Sequence, residues 1–245
     1  MPGDVFLLKK ALRIVKEKAK ILCLIGILLG AALGCQAAGE YLHETYLKEE
    51  SVSTSGAVSE KKTVVIDSGH GGKDPGKIGV NGAQEKELNL QIAEKLKAYL
   101  EEHGITVIMT RTDDERLANS QVEDLKKRVE LINQEAPSLA VCIHQNSYPQ
   151  ESVRGSQVFY FAHSQEAKKA AEVMQEELKK FDLEHAREMK GNTTYYMLKN
   201  TKSPIVIVEC GFLSCPAEAG MLTDAKYQQK LAEAIGNGIL KYVES

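Results

Sequence analysis

From Lys62 onward, short apolar runs alternate with stretches in which apolar residues recur every three or four positions. Runs of the first kind are TVVID (63–67), ITVIM (105–109), LAVCIH (139–144), SQVFYF (156–161) and PIVIVE (204–209), each the length of a strand. The second kind predicts helices over about 86–103, 122–134 and 165–181, then a C-terminal helix with Tyr227, Leu231, Ile235, Ile239 and Tyr242 on one stripe. Three of the strands are almost continuously apolar, so both of their faces must be covered. The alternation predicts an α/β fold: a single domain with a mostly parallel mixed sheet of about six strands, flanked by helices on both faces.

Ahead of this domain the pattern changes. Residues 21–39, ILCLIGILLGAALGCQAAG, carry no charge and follow a basic run of Lys9, Lys10, Arg13, Lys16, Lys18 and Lys20. That combination reads as a single transmembrane anchor or a signal-peptide core, with the basic flank (1–20) on the cytoplasmic side and everything after it outside. A lipoprotein reading at Ala32-Leu33-Gly34-Cys35 lacks the Leu usual three residues before the cysteine, and an uncleaved anchor is preferred. Residues 40–61 are polar without period and read as a linker, leaving 62–245 for the folded domain. Localisation at a membrane, on its extracytoplasmic side, follows, with secretion as the alternative.

Composition narrows the class further. With 43% hydrophobic and 27% charged residues the chain is neither disordered nor a multispanning membrane protein. Its net charge of −3 hides a basic leader, so the rest is acidic and nucleic acid is not the expected partner. The five cysteines form no CxxC pair and no dense framework, so the fold cannot depend on disulfides, although Cys210 and Cys215 lie close enough in sequence to pair.

The chemistry sits where polar residues fall against the buried strands. His70 follows TVVID within IDSGHGG, His144 ends LAVCIH, and Glu209 ends PIVIVE. All three occupy the carboxyl ends of strands, the edge at which open α/β sheets place their ligand sites. Glu85 closes the Gly-rich loop GGKDPGKIGVNGAQE, which is long enough to bring a carboxylate back toward His70. Two imidazoles, a carboxylate and a position left to water make the donor set of a hydrolytic zinc site, with a further carboxylate free to move the proton. The spacing matches no short motif, and hydrogen-bonded strand-end histidines with helix-terminal glutamates remain open.

VVIDSGHGG, EKELNL, TRTDD, IHQN and VECGFLS, in this order, resemble the zinc-dependent N-acetylmuramoyl-L-alanine amidases over about residues 62–243. The resemblance implies one Zn2+ per chain on His70, Glu85 and His144, with Glu209 catalytic. It implies peptidoglycan as substrate, cut between N-acetylmuramic acid and L-alanine. GSQVFYF, YYMLKNT and VECGFLSCPAE resemble the membrane-anchored sporulation type, which implies stem-peptide removal in spore cortex on the way to muramic δ-lactam. A zinc peptidase cutting within the stem, and an inactive wall-binding module, are the competing readings. Ser68, Cys142 and Cys215 depart from the family's usual Pro, Ser and Asn.

Weaker expectations attach to two more residues: Asn146 as an orienting group beside His144, or a contact to substrate, and Arg154 as a contact for an acidic stem peptide. Glu87 lies two residues into a helix and points away from the site, while His103, His163 and His185 have no partner pattern. The 145–155 connection is too short for an occluding helix, so the site is expected to be open. Control is then left to metal affinity, an activating partner protein or the timing of expression.

Overall fold

The computed structural model describes residues 62–244. The basic flank, the apolar segment 21–39 and the linker 40–61 lie outside the described residues, and among the described residues no helix is long and apolar enough to cross a membrane. In chain order the elements are β1 (Thr63–Ser68), α1 (Glu85–Glu102), β2 (Thr106–Met109), α2 (Gln121–Glu135), β3 (Leu139–Asn146), β4 (Gln157–Phe161), α3 (Gln165–Phe181), β5 (Lys190–Asn192), α4 (Tyr196–Asn200), β6 (Ile205–Phe212), α5 (Pro216–Leu222) and α6 (Ala225–Glu244).

Six strands form one sheet in the order β2-β1-β3-β6-β4-β5. Only the β4–β6 pair is antiparallel; the other four pairings are parallel. Alternate residues of β1, β3 and β6 face opposite layers. Val64, Ile66, Val141, Ile143, Val206 and Val208 pack with Ile92 and Leu96 of α1, Met174 of α3 and Leu231, Ile235 and Ile239 of α6. Val65, Ala140, Cys142, Ile205 and Ile207 pack with Val129 and Ile132 of α2 and with Met197 and Leu198 of α4. Two covered faces explain the unbroken apolar runs, and each fully buried Val, Ile or Leu contributes roughly 1.5–3 kcal/mol.

Local signals start the two amphipathic helices that follow loops. Ser120 accepts the Glu123 N–H at 3.2 Å ahead of α2, and Ser164 accepts that of Ala167 at 3.1 Å ahead of α3. On α6 the anticipated stripe is present: Leu231, Ile235 and Ile239 are buried, and Tyr227 and Tyr242 pack against the same core. Cys142, Cys210 and Cys215 are buried free thiols, so the pairing left open for Cys210 and Cys215 does not occur.

Three elements escape the apolar pattern: β5, α4 and α5 are short and draw their order from the neighbours they pack on. β3 runs past His144 to Asn146 and β6 past Glu209 to Phe212, which puts both residues inside their strands rather than at the ends. The consequence for the site is direct, because Glu209 is the register partner of His144 on β3. Paired residues on adjacent strands present their side chains on the same face.

Candidate metal centre

β1, β3 and β6 run parallel side by side and deliver His70, His144 and Glu209 to one edge of the sheet. Glu85 arrives from across the loop as the first residue of α1, where the helix N-terminus favours a carboxylate. Its Oε1 lies 3.2 Å from His70 Nε2 and 2.9 Å from His144 Nδ1. The same oxygen accepts the Gln145 N–H at 3.0 Å, and Oε2 accepts the Lys77 N–H at 2.8 Å. One ligand atom from each of His70, Glu85 and His144 lies within 4.8 Å of the others. Two imidazole nitrogens and a carboxylate oxygen at that spacing fit a divalent metal of the zinc class.

Two glycines let the chain pass this close. A Cβ at Gly69 would stand 2.2 Å from His144 Cε1, and one at Gly76, where φ is +65°, would stand 2.6 Å from Glu85 Oε2. His70 itself adopts φ +64°, a left-handed conformation that a residue with a side chain enters only when its surroundings impose it. From there its Nδ1 meets Asp74 Oδ2 at 3.0 Å, leaving Nε2 directed at Glu85. A carboxylate on the far nitrogen is the usual way in which a ligand histidine is oriented. Asp74 was not singled out from the sequence, although its place four residues after His70 in GHGGKDPG was the available signal.

Charge follows from this packing. Burial opposes a charged His70, but hydrogen bonding and attraction to Glu85, then to Asp74, prevail and raise it to about 9. Burial acts upward on Glu85 as well, and His144 and His70 together outweigh it and hold the carboxyl well below the usual range. Glu209 stands apart: burial pushes it up to about 7, and its Oε2 is buried without a hydrogen-bond partner. A carboxyl poised near neutrality beside two imidazoles is suited to accepting and returning a proton.

These groups open into a cleft of about 380 Å3 lined by His70, His144 and Glu209 on one side, with Gln121, Leu125, Tyr195, Tyr196, Met197 and Ile207 around them. No helix fills the connection between β3 and β4. Asn146 turns its Oδ1 to the N–H of Ser147 at 2.7 Å, and the residue before it, Gln145, makes the contact to the site. Arg154 is half-buried ahead of β4 and its carbonyl accepts from Arg187 at 3.2 Å; it does not line the cleft. Glu87 is exposed, His103 bonds the Tyr99 carbonyl, and His185 pairs with Asp182, so none of these joins the centre.

The profile of the N-acetylmuramoyl-L-alanine amidase family matches residues 64–241. The germination-specific N-acetylmuramoyl-L-alanine amidase of Bacillus subtilis is 38% identical over 189 residues, covering 74% of this chain and 79% of that protein. The CwlD amidase of Clostridioides difficile, solved in complex with the GerS lipoprotein, superposes with a TM-score of 0.72 at 40% identity over 75% of this chain and 98% of that one. A second N-acetylmuramoyl-L-alanine amidase from Clostridium difficile 630 gives 0.71 at 34% identity, over 76% of this chain and 99% of that one. The chain belongs to the N-acetylmuramoyl-L-alanine amidase family.

Proposed function

We propose that the protein hydrolyses the amide between the lactyl group of N-acetylmuramic acid and L-alanine in peptidoglycan, with His70, Glu85 and His144 holding one zinc ion and Glu209 moving the proton. The observation that carries this reading is the convergence of both imidazoles on one Glu85 oxygen beside a buried carboxyl raised to about 7. Bound there, the metal supplies Lewis acidity to a water molecule and to the amide carbonyl. Glu209 accepts the proton that the attacking water loses and returns it to the departing alanine nitrogen, so one carboxyl serves as base and then as acid. Asp74 and the Gln145 and Lys77 N–H groups hold His70 and Glu85 in place throughout.

The setting is proposed to be the spore cortex, where stem-peptide removal precedes formation of muramic δ-lactam. The Bacillus subtilis relative is named as germination-specific, and YYMLKNT and VECGFLSCPAE support the same placement. Action is on the wall side of a membrane, with residues 21–39 as the anchor, 40–61 as the linker and 62–245 as the catalytic domain. The Clostridioides difficile relative was solved bound to a lipoprotein, which supports an activating partner protein here as well. Deleting the gene in a spore former and complementing it with wild type or Glu209→Gln tests the setting. Cortex lacking muramic δ-lactam in the deletion, restored by wild type alone, is expected; normal lactam content in the deletion strain would place the enzyme elsewhere.

A further inference from the structure

Beneath the metal centre lies a group of buried charged residues that the chemistry above does not use. Arg128 of α2 is 1% exposed. Its Nη1 donates to Asp67 Oδ1 and to the Ser68 carbonyl, both at 2.8 Å, its Nη2 to the His70 carbonyl at 2.6 Å, and its Nε to Asp124 at 2.8 Å. Arg111, just beyond β2, donates Nε to the Ser68 carbonyl at 2.9 Å and Nη2 to the Gly69 carbonyl at 3.1 Å. Three successive carbonyls, those of Ser68, Gly69 and His70, are thus each gripped by a buried guanidinium.

Taking two guanidinium groups out of water is costly, and paired carboxylates offset that cost only for Arg128, which faces Asp67 and Asp124. What the arrangement secures is local. The peptides it grips set the backbone of His70, which sits at φ +64° and aims Nε2 at Glu85. A planar fork is required, because one side chain must serve two carbonyls and two carboxylates in different directions; an ammonium cannot reach them all. The same helix also supplies Gln121 and Leu125 to the cleft wall, so α2 both borders the substrate space and clamps a metal-site histidine.

We propose that Arg128 is a positioning residue of the metal centre: through the Ser68 and His70 carbonyls it holds His70 in the left-handed conformation from which the imidazole meets the metal. The proposal rests on the assignment of His70 as a ligand. It separates two effects that usually travel together, the loss of buried packing and the loss of metal affinity.

The experiment uses the full-length chain in mild detergent as wild type, Arg128→Lys and Ile132→Ala. Ile132 is a fully buried apolar residue of the same helix that packs in the layer with Val65, Ala140 and Cys142 and makes no hydrogen bond to the 68–70 carbonyls. Zinc dissociation constants are measured by competition with a chromophoric chelator, and melting midpoints are measured with excess chelator. Arg128→Lys is expected to weaken zinc binding about 10- to 100-fold, the usual size for loss of an orienting group. Ile132→Ala is expected to lower the metal-free midpoint while leaving zinc affinity, measured at a temperature where the metal-free variant is folded, within about twofold of wild type, since the groups that orient the ligands are untouched. If Arg128→Lys fails to fold, Asp124→Asn, which frees the Nε end of the guanidinium, must weaken zinc in the same direction. Wild-type zinc affinity in the folded Arg128 or Asp124 variant, or equal weakening by Ile132→Ala, overturns the proposal alone. A wild-type chain that takes up no zinc overturns the ligand assignment beneath it.

Discussion

Replacing Glu209 by Gln separates the catalytic use of this carboxyl from its cost to the fold. Burial raises Glu209 from 4.5 to about 7 in the metal-free protein. A group whose folded pKa is raised adds stability that is fully present below the unfolded pKa and is lost as pH climbs through the folded one. Between pH 4.5 and 7 the wild type therefore gives up about 3 kcal/mol that a neutral amide does not, at ~1.4 kcal/mol for each unit of the shift. Relative to wild type, the metal-free Glu209→Gln protein is therefore expected to gain about this amount between pH 4 and pH 8. An amide placed at the partnerless Oε2 position also lacks a hydrogen bond, a penalty of about 1–3 kcal/mol when it is complete, but it is the same at both pH values and cancels in the comparison between them. Urea denaturation of a fragment spanning 40–245, with excess chelator, reads the difference at both pH values. The same variant, zinc-loaded, should retain its metal and lose about 10²- to 10⁴-fold in turnover. A variant no more stable than wild type at pH 8, relative to pH 4, would refute the buried-charge argument. Near-normal turnover would move the base elsewhere, and loss of zinc would make Glu209 a ligand.

His70→Ala and His144→Ala should each leave the 40–245 fragment folded but largely without zinc, because two remaining protein bonds do not bind it tightly; elemental analysis after dialysis checks this, and full occupancy would refute the assignment. Since His70 carries a proton up to about 9 in the metal-free form, zinc binding at pH 7.5 should release close to one proton from it, read by calorimetry in two buffers of different ionisation enthalpy. No proton release would show that His70 is not taken up by the metal. Gly69→Ala, whose Cβ would lie 2.2 Å from the His144 ring, should weaken zinc binding at least about tenfold while the sheet survives, as the ring is pushed off its position.

The strands that carry the site were legible because their two covered faces leave an apolar run with one polar residue where it stops. His144 stands out for that reason, His70 because it follows β1 within SGHGG, and Glu85 because it ends a glycine-rich loop. His144 and Glu209 were expected to end their strands, whereas QN and CGF after them continue β3 and β6. β5 has the sequence KGN, with no apolar residue to betray it, and exists because it hydrogen-bonds to β4. The residues beneath the site were hidden by distance along the chain: Arg128 meets Ser68 and His70 across 60 and 58 residues. One trace was present. Arg128 falls next to Val129 on the face of α2 that also carries Leu125 and Ile132, so a charged residue occupies a core-facing position.

Mass spectrometry of muropeptides, after zinc-loaded protein has acted on purified peptidoglycan, reads whether this centre cuts at the lactyl–alanine amide. Stem peptides with a free N-terminal L-alanine and glycan strands whose lactyl groups end in carboxylates are expected, and neither product from Glu209→Gln. Fragments cut within the stem, with L-alanine still attached to muramic acid, would contradict cleavage at that amide.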